Sequence, residues 1–422
     1  MQRIAKTLNP EAAPLMQLVM PMITGILQTR QSMFGFVQEA GLKALMEIFG
    51  QDAEKMAGKK GKWNKHRAAF RWGVTQTTMP FAGRHVAMTR PRLRSLDGRE
   101  LELPSVKAFQ SADPLGEKVM EQILAGVSCR SYERSLTPPP VGAKSRGASR
   151  SSASRRLIEN TRAQLAAFMN APLEEVDLAV LMIDGIHLGD ELVVAALGIT
   201  VKGDKVPIGL WHGSTENAEV CVALMQTLIG RGLRISDERR LLCVIDGGKG
   251  IRSALNKVLG DVALIQRCQL HKLRNVMGHL PDTRHAYVRR TMSEAYHMTS
   301  AGDAREKLIA LAKWLERQGE VTAAASLREG MEETLTILKL NIPELLRRSL
   351  SSTNAIENLM HAIRRISRNV KRWRNGAMAL RWCAAGVQEA AKHFHRLKGH
   401  RHMPVLLAAL RPAVAEPQSK IA

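Results

Sequence analysis

The sequence predicts an α/β protein whose core is a mixed five-stranded sheet. Two apolar runs, 178–184 and 241–246, end in carboxylates, Asp184 and Asp246, each followed by glycine. Continuous Val, Ile and Leu runs are typical of strands buried on both faces. Three further strand-like segments accompany them, with helical periodicity between the later ones. A carboxylate that ends a buried strand is expected at the rim of the sheet, where a metal ion or a substrate can approach.

The charge of the chain indicates a polyanionic partner. Of the 422 residues, 62 are Lys or Arg and 39 are Asp or Glu, which gives a formal net charge of +23 at pH 7. Cations that neutralise phosphates release condensed counterions, so an excess of this size favours a nucleic acid as partner. A ribosomal protein or a membrane-surface protein would also carry such a charge and stays an alternative.

Cysteine content and hydropathy favour a cytoplasmic protein. The five cysteines are an odd number without close pairs, and no signal-peptide pattern opens the sequence. Both features favour a reducing compartment. The most apolar stretches, such as 191–201, are shorter than the roughly 18 residues that a membrane span needs. We therefore expect no membrane partner.

Residues 1–110 are predicted to form a mostly helical region that also contains a hairpin. Apolar residues at spacings of three and four predict helices between residues 11 and 57. Alternation and an Asp-Gly turn predict a hairpin over 84–103 with a basic first arm. The basic run 58–67 is either a solvated loop or a phosphate contact.

Residues 111–172 are predicted to bind DNA through helix-turn-helix-like units. A helix, a turn with Gly and Ser, and a second polar helix over 116–136 have the layout of such a unit. A similar turn and helix recur over 147–158, which would place Arg155 and Arg156 on a recognition helix. A flexible Ser/Arg-rich linker is the alternative for this last segment.

Residues 173–268 contain the five predicted strands. The order is strand, strand, strand, helix, strand, helix, strand, over 178–184, 192–201, 206–211, 217–229, 241–246, 251–259 and 262–267. Short turns favour an antiparallel meander of the first three strands, and a crossover helix makes the fourth strand parallel to the first. This is the order of a ribonuclease H-like fold, in which the first and fourth strands are neighbours. Asp184 and Asp246 are therefore expected to converge.

The C-terminal part is predicted to be helical. Residues 269–348 have helical periodicity and are interpreted as an all-helical insertion. Residues 349–422 would complete the core, because Thr353 or its neighbour can cap a helix that has Glu357 in its first turn. A basic, aromatic tail, 368–376, follows that helix.

Asp184, Asp246 and Glu357 are of the residue type that a two-metal phosphodiester centre needs. Two divalent ions about 4 Å apart can activate a water or a hydroxyl and stabilise the leaving oxygen. Mg²⁺ prefers hard oxygen ligands, typically a few carboxylates together with substrate phosphate. Other carboxylates of this domain lie at turns or helix starts, where they are common as caps. Candidate phosphate contacts are Lys249, Lys272 and Arg274.

Four short motifs occur in order along the second half of the chain. They are Asp184-Gly, Asp246-Gly-Gly-Lys-Gly, the segment Cys268–Asn275, and the segment Asn354–Glu357 followed by Arg364-Arg365. Together they resemble the motifs of the Mutator-type family of bacterial insertion-sequence transposases. The resemblance extends over roughly residues 115–400.

The resemblance implies a DNA transposase with an Asp-Asp-Glu triad, here Asp184, Asp246 and Glu357, that would bind two Mg²⁺ or Mn²⁺ ions per active site. Members cleave their element at terminal inverted repeats and join the 3′-OH to target DNA without a covalent enzyme–DNA intermediate. It also implies double-stranded DNA as partner and a nucleoid-associated bacterial protein. Two ends must meet in the reaction, so we expect a homo-oligomer on DNA. Candidate DNA-binding residues are Lys249, His271, Lys272, Arg274, Arg364, Arg365, Arg155 and Arg156.

Two alternative functions stay open. A non-catalytic, domesticated DNA-binding protein would keep the basic regions, and a ribonuclease H-like nuclease would use the same metal chemistry.

Cys268 and His271 alone cannot complete a four-ligand zinc site, so zinc would need ligands from the C-terminal histidines His393, His395, His400 and His402. We favour instead a His271 that orients DNA or a carboxylate, and a Cys268 that packs at the strand end.

Overall fold

The computed structural model describes residues 33–62, 67–111, 114–139, 143–213, 217–234 and 239–411. The chain divides into two compact units between Asn160 and Thr161. The predicted helices of residues 11–32 and part of the basic run 58–67 lie outside the described residues.

The first unit combines helices with a small sheet. Its elements are α1 (Met33–Ala57), β1 (Ala69–Phe81), β2 (Arg84–Ser95), β3 (Glu100–Leu101), α2 (Pro104–Ser111), α3 (Pro114–Leu124), α4 (Tyr132–Ser135), β4 (Ser145–Arg146) and the start of α5 (Arg150–Asn170). β2 pairs with β1, β3 and β4, always antiparallel. The predicted β2–β3 hairpin is confirmed, and the described residues of this region also contain the helices α1 and α2. The long β1 was missed because its Thr75–Thr78 stretch, Thr-Gln-Thr-Thr, has no apolar alternation.

The predicted helix-turn-helix over 116–136 is wrong in its second helix. α3 has the expected length, but α4 is a single turn of four residues. Tyr132 is fully buried there, and its hydroxyl donates to the carbonyl of Gly83 at 3.0 Å, so this turn packs inward. The other segment is helical: α5 runs for 21 residues from Arg150, which excludes the flexible linker as an interpretation of that stretch.

The second unit is built on the predicted mixed sheet. Its strands are β5 (Leu178–Leu188), β6 (Glu191–Thr200), β7 (Lys205–Gly213), β8 (Leu241–Ile245) and β9 (Ala263–Arg267). They lie in the order β7-β6-β5-β8-β9. The first three pair antiparallel, and β8 is parallel to both β5 and β9. The predicted strand order, pairing and crossover are therefore confirmed.

Helices cover both faces of this sheet. Alternate residues of β5 contribute to two cores: Leu181 and Ile183 pack with α6 (Ala218–Gly230) and α7 (Lys249–Leu259), whereas Val180 and Met182 pack with the later helices. Both faces are apolar because both are covered, which explains the continuous apolar run in the sequence.

The remaining chain is helical, as predicted. After β9 come α8 (Gln269–Met277), α9 (Asp282–His297), α10 (Ala301–Arg317), α11 (Val321–Arg328), α12 (Met331–Thr334), α13 (Thr336–Lys339), α14 (Glu344–Leu350), α15 (Asn354–Ser367), α16 (Gly376–Ala391) and α17 (Met403–Ala409). Within the described ranges, no helix is both long and apolar enough to cross a bilayer.

Candidate active site

Asp184 and Asp246 lie on neighbouring parallel strands. The last pair of the β5–β8 register sets Met182 opposite Val244, and Asp184 and Asp246 each follow two residues later. The expectation that β5 ends at Asp184 is wrong, because β5 continues to Leu188 in its pairing with β6. The rim is created by β8 alone, which ends at Ile245 and frees the next residue, Asp246, from the sheet.

Backbone amides fix both aspartates. The amide of Gly185 donates to Asp184 Oδ1 at 2.8 Å, and the amide of Gly248 donates to Asp246 Oδ1 at 2.8 Å. Gly247, between Asp246 and Gly248, has φ +105°, a backbone conformation that residues with a side chain rarely adopt. A Cβ at this position would lie 1.9 Å from Nε of Arg267, which fills the space beneath the turn.

Glu357 reaches the site from the first turn of α15. The apolar side of α15, including Ile356, Leu359 and Ile363, is buried in the core that contains Val180 and Met182 of β5. Thr353 is the N-cap residue, but its hydroxyl donates to Glu357 Oε1 at 2.9 Å and makes no bond to a helix amide.

His271 lies beside both Thr353 and Glu357. Its Nδ1 is 3.4 Å from Thr353 Oγ1, and its Nε2 is 3.8 Å from Glu357 Oε1. A hydrogen bond with Cys268 raises the pKa of His271, burial opposes this, and the charges of Cys268, Glu357 and Asp246 add to the rise. Burial alone would raise the pKa of the Cys268 thiol, but hydrogen bonds with His271 and Thr353 outweigh it and lower that pKa. Cys268 is fully buried directly after β9, and a hydrogen bond also joins it to His271.

Asp184 is partly buried near the other two carboxylates. Burial raises the pKa of Asp184 to about 6, and the charges of Asp246 and Glu357 contribute to the rise. The amide of Gly185 and the charge of His271 oppose it. Carboxylates from three distant positions in the sequence are thus close enough for Asp246 and Glu357 to repel the charged form of Asp184, while His271 attracts it.

The donor chemistry of this cluster fits a hard divalent cation. Carboxylate oxygens are the ligands that Mg²⁺ prefers, and a bound cation would offset both the burial of Asp184 and the repulsion from its neighbouring carboxylates. Across the described part of the chain, no three Asp, Glu, His or Cys side chains converge closely enough to hold an ion as they stand. The same finding leaves Cys268 and His271 without the further ligands of a zinc site.

Lys272 is not a phosphate contact, contrary to its prediction from the sequence. Its side chain is 1% exposed, and Nζ donates to the carbonyls of Ser326 and Glu329 and to the Glu329 carboxylate. Arg267 Nη1 pairs with the same carboxylate at 2.8 Å. These bonds lower the pKa of Glu329 to about 2, chiefly through Arg267. The sequence did not signal this cluster, since Lys272 and Glu329 are 57 residues apart.

The other predicted cations differ in exposure. Four in the second unit are exposed, namely Lys249, Arg274, Arg364 and Arg365. In the first unit, Arg155 is exposed on α5, whereas the half-buried Arg156 donates to the carbonyl of Gly147 at 2.6 Å. All except Lys272 thus stay candidates, with Arg156 already engaged in the protein.

Comparison with known proteins identifies the chain. A family model described as "Transposase, Mutator family" matches residues 27–396. The transposase for insertion sequence element IS256 in transposon Tn4001 of Staphylococcus aureus is 25% identical over 354 residues, which are 82% of this chain and 86% of that protein. The transposase for element ISRM5 of Rhizobium meliloti is 26% identical over 360 residues, 83% and 85% of the two chains. That for element IS1201 of Lactobacillus helveticus is 30% identical over 176 residues, 42% and 45%. The match over most of its length shows that the chain belongs to the Mutator family of transposases.

Proposed function

We propose that the protein is an insertion-sequence transposase that cleaves terminal inverted repeats and joins the freed 3′-OH ends to target DNA. The observation that supports this activity most is that Asp184, Asp246 and Glu357 come together around His271 in a protein with a net charge of +23. Binding alone needs no cluster of acidic groups, which would repel DNA phosphates. The strand order of the sheet is that expected of a ribonuclease H-like core.

The three carboxylates would hold two Mg²⁺ or Mn²⁺ ions. When bound, such ions supply the activation of the attacking water or hydroxyl and the stabilisation of the leaving oxygen. The chain's own contribution is position: Gly248 orients Asp246, and Thr353 orients Glu357. His271 places a raised-pKa imidazole beside Glu357, where it can donate to a carboxylate or a phosphate.

Double-stranded DNA is the proposed partner, with a homo-oligomer on it because two ends must be joined. Lys249 begins α7 directly after the Asp246 turn, so its exposed ammonium can contact a phosphate near that carboxylate. Arg274, Arg364 and Arg365 are exposed on α8 and α15. A chain that acts on a bacterial chromosome would work in the cytoplasm, at the nucleoid.

The test is a strand-transfer assay. Purified protein is mixed with a labelled duplex that carries the ends flanking its own gene, a target plasmid, and Mg²⁺ or Mn²⁺. Wild type is expected to cleave and join the ends, and Asp246→Ala is expected to bind them without cutting. Binding by both without cutting under either metal would favour a non-catalytic DNA-binding protein. Cutting without joined products would favour a ribonuclease H-like nuclease.

A further inference from the structure

The segment 368–375, here called the basic loop, connects α15 to α16 and is unusually rich in exposed cations. Arg368, Lys371, Arg372 and Arg374 are all exposed. None of the four forms an ion pair with a carboxylate of the described residues, although many cations elsewhere in this unit do. Four neighbouring unpaired cations repel one another, which favours an anionic partner for this loop.

The basic loop is held in place at its middle and at its end. A Cβ at Gly189, in the turn between β5 and β6, would lie 2.9 Å from the indole of Trp373, so the tryptophan is packed directly on that turn. Asn375 caps α16 by accepting from the amide of Met378 at 3.0 Å. Gly376 is packed against His212, which leaves no room for a Cβ. The loop therefore presents its cations from a fixed backbone, which lowers the entropy cost of binding a ligand.

Two independent paths lead from the proposed catalytic carboxylates to the basic loop. Along α15, Arg368 is 11 residues beyond Glu357, which at 1.5 Å per residue is roughly 16 Å. Along β5, Gly189 is five residues beyond Asp184, which at 3.3 Å per residue is again roughly 16 Å. In duplex DNA this distance corresponds to about five base pairs.

The exposed face of α15 spans the interval. His361, Arg364, Arg365 and Arg368 follow Glu357 at helical spacings of three and four, so they share its side of the helix, and all four are exposed. Positive charge thus extends from the carboxylate cluster to the loop without an intervening acidic residue on this face.

We propose that the basic loop binds the phosphate backbone of the duplex about five base pairs from the scissile bond, with Trp373 as its structural anchor. The inference rests on the proposed function, because that function supplies the DNA. Its chemistry is that of a positioning contact: the loop neutralises phosphates and reads no base, so it fixes where along the duplex the carboxylates act.

The test compares two triple variants with the same change of charge. Lys371→Gln/Arg372→Gln/Arg374→Gln alters the loop and leaves Trp373 in place, and Arg289→Gln/Lys313→Gln/Arg317→Gln alters exposed cations of α9 and α10. Affinity for the end duplex is measured between 50 and 300 mM salt. At about 0.9 ion released per phosphate contact, the loop variant is expected to have a log–log salt slope shallower by about three, while the control keeps the wild-type slope.

A second measurement locates the contact. Single neutral methylphosphonates are placed at each phosphate up to ten nucleotides from the wild-type cleavage position. Those about five base pairs away are expected to weaken wild-type binding and to leave the loop variant unaffected. The inference would be overturned if the two triple variants had equal salt slopes, or if a methylphosphonate about five base pairs away weakened binding of the loop variant as well. In either case, cleavage by the wild type would leave the proposed function intact. A wild type that neither binds nor cleaves would overturn both.

Discussion

Thr353 donates a hydrogen bond of 2.9 Å to Glu357 Oε1, one turn further along α15. An N-cap hydroxyl ordinarily accepts from an amide of the first turn, but here it donates to the carboxylate. Thr353 is fully buried and the Glu357 side chain is 25% exposed, so this bond is partly shielded from water. The rotamer of Glu357 is therefore set by the fold before any ion or DNA is bound.

Replacing Thr353 tests this positioning. Thr353→Val keeps the shape and removes the hydroxyl, so it should lower the rate of cleavage by roughly tenfold, the equivalent of one hydrogen bond of about 1.4 kcal/mol. Affinity for the end duplex should not change. Thr353→Ser keeps the hydroxyl and should cleave at close to the wild-type rate. Equal losses in the two variants would show that the residue matters only for packing.

Gly247 should tolerate no side chain. Alanine would have to adopt a φ of +105° and would collide with Nε of Arg267 beneath the turn. We expect Gly247→Ala to lower the free energy of unfolding by about 2 kcal/mol or more and to abolish cleavage, because Asp246 is displaced with the turn. Gly230→Ala is the control, since nothing lies within 4 Å of its Cβ position. Urea denaturation of both variants measures the difference; equal stabilities would contradict the assigned strain.

Lys249 and Lys272 look alike in the sequence but should respond to substitution in opposite ways. Lys249→Gln removes an exposed cation, so it should make the salt slope of DNA binding shallower by about one and leave stability unchanged. Lys272→Gln removes a buried ammonium that bonds two backbone carbonyls and the half-exposed Glu329 carboxylate, and should cost roughly 1–3 kcal/mol of stability. Its salt slope should equal that of wild type. A shallower slope for folded Lys272→Gln would restore Lys272 as a phosphate contact.

The contrast between these lysines shows what the sequence can predict. Strands β5 and β8 were predictable because both faces of the sheet are covered, which requires a continuous apolar run. Their adjacency followed from the crossover, and with it the pairing of Asp184 with Asp246. The burial of Lys272 was not predictable, because its partner Glu329 is contributed by a distant helix end. The extension of β5 past Asp184 was not predictable either, because there the strand is held only by its pairing with β6.

The raised pKa of Asp184 predicts how the metal-free protein responds to pH. A free aspartate has a pKa near 3.9, whereas the folded value is about 6. Between these values the folded state binds more protons than the unfolded state, so stability falls as pH rises from about 4 to about 6 and is then constant. Two pKa units correspond to a cost of at most about 3 kcal/mol at neutral pH.

Asp184→Asn removes this cost because the amide is neutral at every pH. In the presence of a chelator at pH 7.5, the variant should be more stable than wild type by roughly 1–3 kcal/mol, although it should not cleave DNA. The difference should shrink towards zero at pH 4, where Asp184 is protonated in the folded protein. Urea titrations of both proteins at the two pH values measure it. A variant that is less stable at pH 7.5, or a difference that persists at pH 4, would contradict the raised pKa of Asp184.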